Sequence, residues 1–287
     1  MAVDVYQMVS DRLIAELESG IIPWSRPWTG CREGAFSGAT GRPYSILNQM
    51  ILGKPGAWVT WNEIQKRGGR VRKGERSSYV VFWKSVKVSE TDPVTGETSE
   101  KLVPMLRYYL VFHVSQCDGL KLDELPPAGE IEESPTALQV IGDYLAAQPG
   151  LRLEKDSPSN KAYYSPAADE IVVPCIRQFS EQGEYYSTVF HEMTHSTGHK
   201  SRLDRLSSTA HFGDESYSKE ELVAEIGAAT LWNLTGTESG KSFRNSAAYL
   251  QGWLRALRND KKLIVQASGA AAKAVDFILG RPAPEYT

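Results

Sequence analysis

Alternation of apolar and polar residues outlines the first half of the chain. Apolar side chains at every third or fourth position predict an amphipathic helix over residues 4–19, which Gly20 ends. The patterns of residues 79–89 and of 102–114, interpreted as alternating, predict two β-strands. Turn-forming residues at 91–97 lie between them, so the two strands are expected to form a hairpin.

The second half has a different pattern, dominated by helical spacing. Apolar periodicity predicts helices near residues 136–148, 246–258 and 261–279. Residues 162–174 supply strand material that ends in the β-branched run 171–173. The last two helices carry no residues with evident chemistry, so they are interpreted as packing helices.

A segment rich in proline and acidic residues separates the two halves. Residues 121–136 contain three prolines and five acidic side chains, a composition typical of a linker. We therefore predict an α+β domain over residues 1–120, this linker, and a second domain over 137–287. Domains of this size can each bury a core of their own.

Two histidines four residues apart give the chain its sharpest chemical signal. His191, Glu192 and His195 form the pattern H-E-x-x-H within a segment that has helical periodicity. Residues four apart share a helix face, so both imidazoles can reach one metal ion. Glu192 can then take a proton from a water bound to that ion. The competing interpretation is an amphipathic helix that happens to carry two ordinary histidines.

A catalytic zinc site needs a third protein ligand, and a second predicted helix over residues 218–229 offers two candidates. Glu221 and Glu225 lie four apart on one face. One could bind the metal while the other accepts the ring N–H of a ligand histidine. Alternatively, Ser218 and Glu221 form a capping box, in which Glu221 only satisfies a backbone N–H. Small residues in this helix would let it lie close against the first.

Charge and aromatic content single out a different chemistry in the first 120 residues. This part has 15 Lys+Arg against 12 Asp+Glu and holds five of the seven tryptophans, whereas the remainder is acidic. Exposed cations beside aromatic rings suit single-stranded nucleic acid, although a solvated loop beside core aromatics would have the same composition. The candidate DNA-binding residues are Trp61, Lys66, Arg67, Arg70, Arg72, Lys73 and Arg76.

Both halves also resemble one known family, the ArdC-type antirestriction proteins. In the second half the resemblance rests on HEMTHSTGH at 191–199, RLDR at 202–205, and the stretch 217–225 with its paired glutamates. In the first half it rests on segments that include GIIPW at 20–24, TGRPY at 40–44, WVTW at 58–61 and RKGE at 72–75.

The resemblance implies a zincin-like metallopeptidase domain behind an N-terminal domain that is shared with certain plasmid primases and is taken to bind single-stranded DNA. It favours Glu221 as the third metal ligand, with Glu225 supporting a ligand histidine. Separately from the resemblance, Tyr185, Tyr186, His199 and His211 are candidates for oxyanion-binding or supporting groups of the site, with a structural role as the alternative for each. The strand material at 162–174 is expected to be the edge strand that pairs with a substrate backbone.

Three functions are consistent with this resemblance. The chain could shield incoming single-stranded DNA of a mobile element from restriction, cleave a regulatory host protein, or bind DNA with a purely structural metal. The metal is expected to be zinc or another divalent ion such as manganese. Duplex DNA stays open as a partner, and the protein substrate is unknown. Three scattered cysteines and the lack of apolar runs of membrane-spanning length predict a cytoplasmic protein without a membrane partner.

Overall fold

The structure is a computed structural model of the 287-residue chain. It describes residues 3–26, 34–91, 98–121, 136–157, 161–179, 182–206, 215–236 and 247–282. Most of the predicted linker, residues 122–135, lies outside this part of the chain, as do the turn residues 92–97 and His211.

The described residues of the first part form three α-helices and six strands. In chain order these are α1 (Val5–Glu18), β1 (Ala35–Ser37), α2 (Ile46–Leu52), β2 (Gly56–Val59), α3 (Trp61–Lys66), β3 (Arg70–Val71), β4 (Ser78–Thr91), β5 (Thr98–His113) and β6 (Cys117–Asp118). The predicted first helix is confirmed. Asp4 caps it by accepting a hydrogen bond from the Gln7 N–H at 3.2 Å, and Gly20 follows its end at φ +82°.

The predicted hairpin is confirmed as the longest feature of the first part. Strands β4 and β5 pair antiparallel without a break from Ser78↔Val111 to Thr91↔Thr98. They belong to a four-stranded sheet of order β1-β2-β5-β4, in which only the base of the hairpin contacts the other strands. Most of the hairpin therefore projects from the sheet as a two-stranded ribbon.

Where the structure describes the second part, it contains five α-helices and a small sheet. In chain order these are α4 (Ala137–Ala147), β7 (Arg152–Ser157), β8 (Tyr163–Ser165), β9 (Glu170–Pro174), α5 (Gln182–Ser196), α6 (Glu215–Leu234), α7 (Ala247–Asn259) and α8 (Leu263–Ile278). The helices predicted near 136–148, 246–258 and 261–279 are confirmed. Among the helices that the structure describes, none combines the length and apolar character needed to cross a membrane.

The strand material at 162–174 folds differently from the prediction. It forms two strands, because a turn at Asp169, where φ is +46°, reverses the chain between β8 and β9. Strand β9, which contains the β-branched run, is central, with β7 parallel on one side and β8 antiparallel on the other. The expectation of one edge strand over 162–174 is therefore wrong for the β-branched run, since both of its backbone edges are paired within the described sheet, whereas β8 does lie at an edge of that sheet.

Helix α6 lies between two apolar cores. Leu222 and Ile226 pack into a core that also contains residues of α1, α2, α7 and α8. Ala228 and Leu231 pack into the second core, with residues of α4, β9 and α5. The two cores thus do not follow the two sequence segments, because the first core draws on both. The predicted division into two domains at the linker 121–136 therefore remains a prediction.

The contact between α5 and α6 is unusually close at one point. A Cβ atom on Gly227 would lie 2.6 Å from Cγ2 of Thr194, so no larger residue fits there without a shift of the helices. This confirms the expectation that small residues bring α6 against α5. The close approach places the polar faces of both helices opposite each other.

Candidate metal centre and nucleic-acid surface

Two histidines of α5 and one glutamate of α6 converge on a common point. His191 Nε2 lies 3.1 Å from His195 Nε2 and 3.6 Å from Glu221 Oε2. His195 Nε2 lies 3.5 Å from Glu221 Oε1. The pair of imidazoles comes from i, i+4 spacing on one helix, and the carboxylate comes from the helix packed against it. The geometry therefore unites the three residues that the sequence predicted as ligands.

These separations fit a divalent metal ion. Ligand atoms about 2.1 Å from a tetrahedral ion lie roughly 3.4 Å from each other. The two imidazole nitrogens are separated by a similar distance, and each of them lies at a similar distance from one of the two oxygens of Glu221. Two imidazoles and one carboxylate form a donor set typical of catalytic zinc, and such sets also accept other divalent ions. Among the described residues, His191, His195 and Glu221 form the group of histidine, cysteine or acidic side chains whose donor atoms all lie within 4.8 Å of one another.

The position of Glu221 within α6 decides between its two predicted roles. The helix begins at Glu215, so Ser218 lies inside it rather than at the N-cap position. A capping box between Ser218 and Glu221 would need Ser218 to precede the first helical residue. The carboxylate of Glu221 instead faces the two histidines.

Glu225 lies one helical turn beyond Glu221 and approaches the other side of His191. Its Oε1 is 3.9 Å from Nδ1 of His191, and the residue is only 8% exposed. A carboxylate near the ring nitrogen that does not bind the metal favours the tautomer that leaves Nε2 free for the ion. The structure places Glu225 where the sequence predicted a supporting group.

A second supporting pair was missed by the sequence analysis. Glu220 Oε1 lies 3.4 Å from Nδ1 of His195, and Arg205 donates to both oxygens of Glu220, from Nη2 at 2.9 Å and from Nε at 3.2 Å. Arg205 also donates to the carbonyl oxygen of Thr194 and to Oγ1 of Thr197. This guanidinium thus fixes Glu220 to the C-terminal end of α5. The paired glutamates at 220–221 were noticed, but periodicity does not show that residue 205 folds back between the helices.

His199 is not placed beside the ligands. Its Nδ1 lies 2.8 Å from Oγ of Ser201 and accepts a hydrogen bond from the Ser201 N–H at 3.2 Å. The ring therefore caps the turn that follows α5. His199 was predicted only as a candidate group around the site; the carboxylate that lies beside the second ligand histidine is that of Glu220.

The electrostatics of the centre favour a bound cation. Burial lowers the pKa of His195, but the carboxylates of Glu220 and Glu221 outweigh it and raise that pKa to about 10. Burial would raise the pKa of Glu221, yet its contacts with His191 and His195 hold that pKa well below the usual value. Glu192 is itself buried, at 7% exposure, and its charge acts on His195 in the same direction. Four glutamates around two imidazoles thus create an anionic pocket.

The cationic segment of the first part divides into exposed and paired side chains. Arg70 is 82% exposed, and Lys66, Lys73 and Arg76 are exposed as well. Arg67 instead folds onto its own helix, where Nε donates to Glu63 at 2.8 Å. Arg72 donates to Glu75 at 2.9 Å and to the carbonyl oxygen of Ser115.

Trp61 lies beside this segment with about half of its surface exposed. Its ring packs against Phe112 with the centroids 6.2 Å apart, so the indole is fixed on one side and open on the other. The predicted aromatic group is therefore available for stacking, and the adjacent cations differ in how freely they could reach a phosphate.

Two family models match the chain in succession. Residues 3–112 match the N-terminal domain of the anti-restriction factor ArdC, and residues 143–270 match a zincin-like metallopeptidase. The second matched segment contains every residue of the candidate metal centre.

Solved structures and sequence relatives extend the match to nearly the whole chain. The antirestriction ArdC protein from the R388 plasmid is 38% identical in its metal-free structure, with a TM-score of 0.72 over 96% of this chain and 97% of that one. Its Mn(II)-bound structure is 35% identical, with a TM-score of 0.72 over 97% and 98% of the two chains. The protein y4eC of Sinorhizobium fredii is 30% identical over 96% of this chain and 91% of its own length.

Two DNA primases named TraC, both from Escherichia coli, are similar over part of their length. They are 34% and 32% identical over 96% of this chain. The chain spans only 27% and 20% of those primases, so the similarity concerns one region of much longer proteins.

Proposed function

This chain belongs to the ArdC family of antirestriction proteins, and from that premise we propose that it protects incoming single-stranded DNA of a plasmid or other mobile element from host restriction. In this proposal the first part binds the DNA, and the second part holds a divalent metal ion in a peptidase-like centre. The family relationship, the cationic segment with its exposed tryptophan, and the convergence of His191, His195 and Glu221 support the two halves of the proposal.

The main support for the metal-binding part of this proposal is the three-residue cluster between α5 and α6. His191, His195 and Glu221 would hold the ion, and Glu225 and Glu220 would orient the two imidazoles. When bound, a divalent ion in such a site polarises a carbonyl group and makes a water molecule more acidic. Zinc and manganese both suit this donor set, and the Mn(II)-bound structure of the R388 relative supports a divalent ion.

Glu192 is proposed as the general base and acid of this centre. It directly follows the first ligand in the chain and is buried beside the second, where its charge acts on His195. Its carboxylate would take a proton from the attacking water and later deliver it to the departing amide nitrogen. A peptide substrate would approach along β8, since β8 borders the described sheet next to the central strand β9.

Charge reversal and a single-residue change in the metal centre separate the roles of the two halves. Glu192→Gln keeps the ligands and is expected to lower any peptidase activity by about 10²–10⁴-fold. Arg70→Glu combined with Lys73→Glu removes two exposed cations and is expected to weaken binding to a single-stranded oligonucleotide at least tenfold at about 0.1 M salt. Protection of transferred DNA is then measured in cells that express a restriction system.

The pattern of protection decides between shielding and proteolysis. Protection that survives Glu192→Gln but is lost with the charge reversal supports shielding of the DNA. Protection lost with Glu192→Gln, in a variant that still binds oligonucleotide and metal, would contradict shielding and favour the regulatory protease. That second candidate is kept because the buried Glu192 stands next to a complete set of three ligands.

A further inference from the structure

The two faces of the β4–β5 ribbon differ in positive charge. Opposite residues of an antiparallel pair project to the same face, so the register assigns even positions of β4 and odd positions of β5 to one face. Within 80–88 and 101–111 that face carries three basic residues among apolar and aromatic ones, whereas the other face carries one basic residue, Lys87. We call the first of these the cationic ribbon face, and its members are Val80, Phe82, Lys84, Val86, Val88, Lys101, Val103, Met105, Arg107, Tyr109 and Val111.

The end of the cationic ribbon face nearest the domain is buried. Val80 and Val111 pack with Trp58 in a small core under the sheet. Beyond them the face opens to solvent, where Phe82, Met105 and Tyr109 are each 38–39% exposed. An exposed aromatic strip that continues from a packed core has a rigid base, so its rings are held in place before any ligand arrives.

The exposed aromatic rings are positioned by neighbouring side chains. Phe82 and Tyr109 contact each other with ring centroids 5.6 Å apart and planes tilted by 55°. The hydroxyl of Tyr109 is hydrogen-bonded to Tyr44. The two rings thus form a small platform whose outer surface is open.

Basic side chains surround this platform. Arg107 lies directly opposite Phe82 in the strand pair, and Lys84 lies opposite Met105. Lys101 adds a third positive charge farther along, and all three are exposed. The other face of the ribbon is different, since Lys87 there is paired with Glu100 at 2.9 Å. Each face has one acidic position at the far end of the ribbon, Glu90 on the cationic ribbon face and Glu100 on the other. Exposed rings also occur on both faces, so what distinguishes the cationic ribbon face is three basic residues beside its rings, against one on the other face.

We propose that the cationic ribbon face is a binding surface for single-stranded DNA, distinct from the segment at residues 66–76. Bases would stack on Phe82 and Tyr109, while Arg107, Lys84 and Lys101 contact successive phosphates. The eight-residue span from Tyr109 to Lys101 is roughly 27 Å long, enough for several nucleotides. This inference rests on the proposed function, because it locates where the DNA would lie.

The matched pair Tyr109→Ala and Tyr108→Ala tests the stacking. The two tyrosines are adjacent, 38% and 37% exposed, and each contacts one other aromatic ring, but they project to opposite faces. Binding of the full chain to a roughly 12-nucleotide oligothymidylate is measured by fluorescence anisotropy at several salt concentrations. Tyr109→Ala is expected to weaken binding about fivefold or more, and Tyr108→Ala is expected to have little effect.

A second pair tests the charges in the same assay. Lys84→Gln and Lys87→Gln remove the same charge from the same strand, three residues apart, on opposite faces. Lys84→Gln alone is expected to reduce the slope of log affinity against log salt by about 0.7. Equal effects of the two lysine variants, together with equal effects of the two tyrosine variants, would overturn the proposal.

The assay also distinguishes failure of this inference from failure of the proposed function. If the unaltered chain does not bind the oligonucleotide, the proposed DNA shielding itself fails. If it binds and only Arg70→Glu with Lys73→Glu weakens it, the DNA lies on the 66–76 segment and the ribbon inference is wrong. Self-association that disappears with Tyr109→Ala in sedimentation experiments would instead assign the face to a second copy of the chain. Unchanged melting temperatures show that each variant is folded.

Discussion

The charged side chains of the metal centre are largely buried and paired, whereas most of those in the cationic segment at residues 66–76 are exposed to solvent. In the centre, His195, Glu220 and Arg205 have side chains that are 13–15% exposed, and each is held by another. In the segment, Arg70 is 82% exposed and its nearest acidic partner, Asp118, is 4.0 Å away. Function in the first region should depend on geometry, whereas function in the second should depend mainly on how many of its charged side chains are exposed.

The largest expected effect is the loss of a metal ligand. His191→Ala should weaken Zn²⁺ or Mn²⁺ binding by more than roughly 100-fold, since removal of a ligand costs more than removal of a supporting contact. Calorimetric titration of the purified chain measures this directly. His199→Ala is the control, because that ring bonds Ser201 instead of the ligands and its removal should leave the affinity unchanged. Retained affinity in His191→Ala would refute the assigned site.

The second-largest loss of metal affinity should come from replacing Arg205. In the described hydrogen bonds Arg205 donates to Glu220, Thr194 and Thr197, and to none of the three ligand side chains. Arg205→Ala is expected to weaken metal binding about 10- to 100-fold, because Glu220 would no longer be fixed against His195. The metal affinity of Arg205→Lys should lie between those of the unaltered chain and Arg205→Ala. An ammonium group keeps the positive charge but cannot donate two parallel hydrogen bonds to one carboxylate. If metal affinity is unchanged in a folded Arg205→Ala protein, geometry matters less in this centre than we infer.

Acidity should affect the two regions differently. The pKa of His195 is raised to about 10 without a metal, so its imidazolium stabilises the ion-free fold below the unfolded pKa, and that contribution is lost as pH rises through about 10. Metal binding must displace this proton, so lowering the pH from 8 to 7 is expected to weaken it roughly tenfold. Oligonucleotide binding by arginine and lysine should hardly change over the same range. Metal affinity that does not vary with pH would contradict the proton competition.

The smallest effect separates two arginines within the cationic segment. Arg70→Ala should weaken oligonucleotide binding a few-fold and lower the salt slope by about 0.7, because its side chain is free to reach a phosphate. Arg67→Ala should leave binding nearly unchanged and instead cost about 0.5 kcal/mol of unfolding free energy, through loss of its contact with Glu63. Equal binding losses would mean that only total charge matters in this segment.

Local periodicity predicted most of the secondary structure because helices and hairpins depend on neighbours in the chain. The helix of residues 5–18 and the β4–β5 hairpin follow from apolar spacing and turn residues alone. The central position of β9 did not follow, since pairing with β8 depends on a chain reversal at Asp169 and pairing with β7 depends on more distant backbone. Apolar β-branched residues indicate a strand but not its neighbours.

In the candidate metal centre, too, some features follow from local spacing and others only from packing between helices. Local spacing is enough to predict that His191 and His195 share a helix face, because α-helical geometry makes residues i and i+4 neighbours wherever the helix lies. Packing of α6 against α5 brings Glu221 opposite the two imidazoles and places Glu220, which Arg205 holds, against His195. These contacts of Glu220 and Glu221 join residues 15 to 30 positions apart, and the absence of a side chain at Gly227 permits the close approach to Thr194 that accompanies them. Packing between elements, which no local pattern encodes, therefore set the surroundings of the ligands.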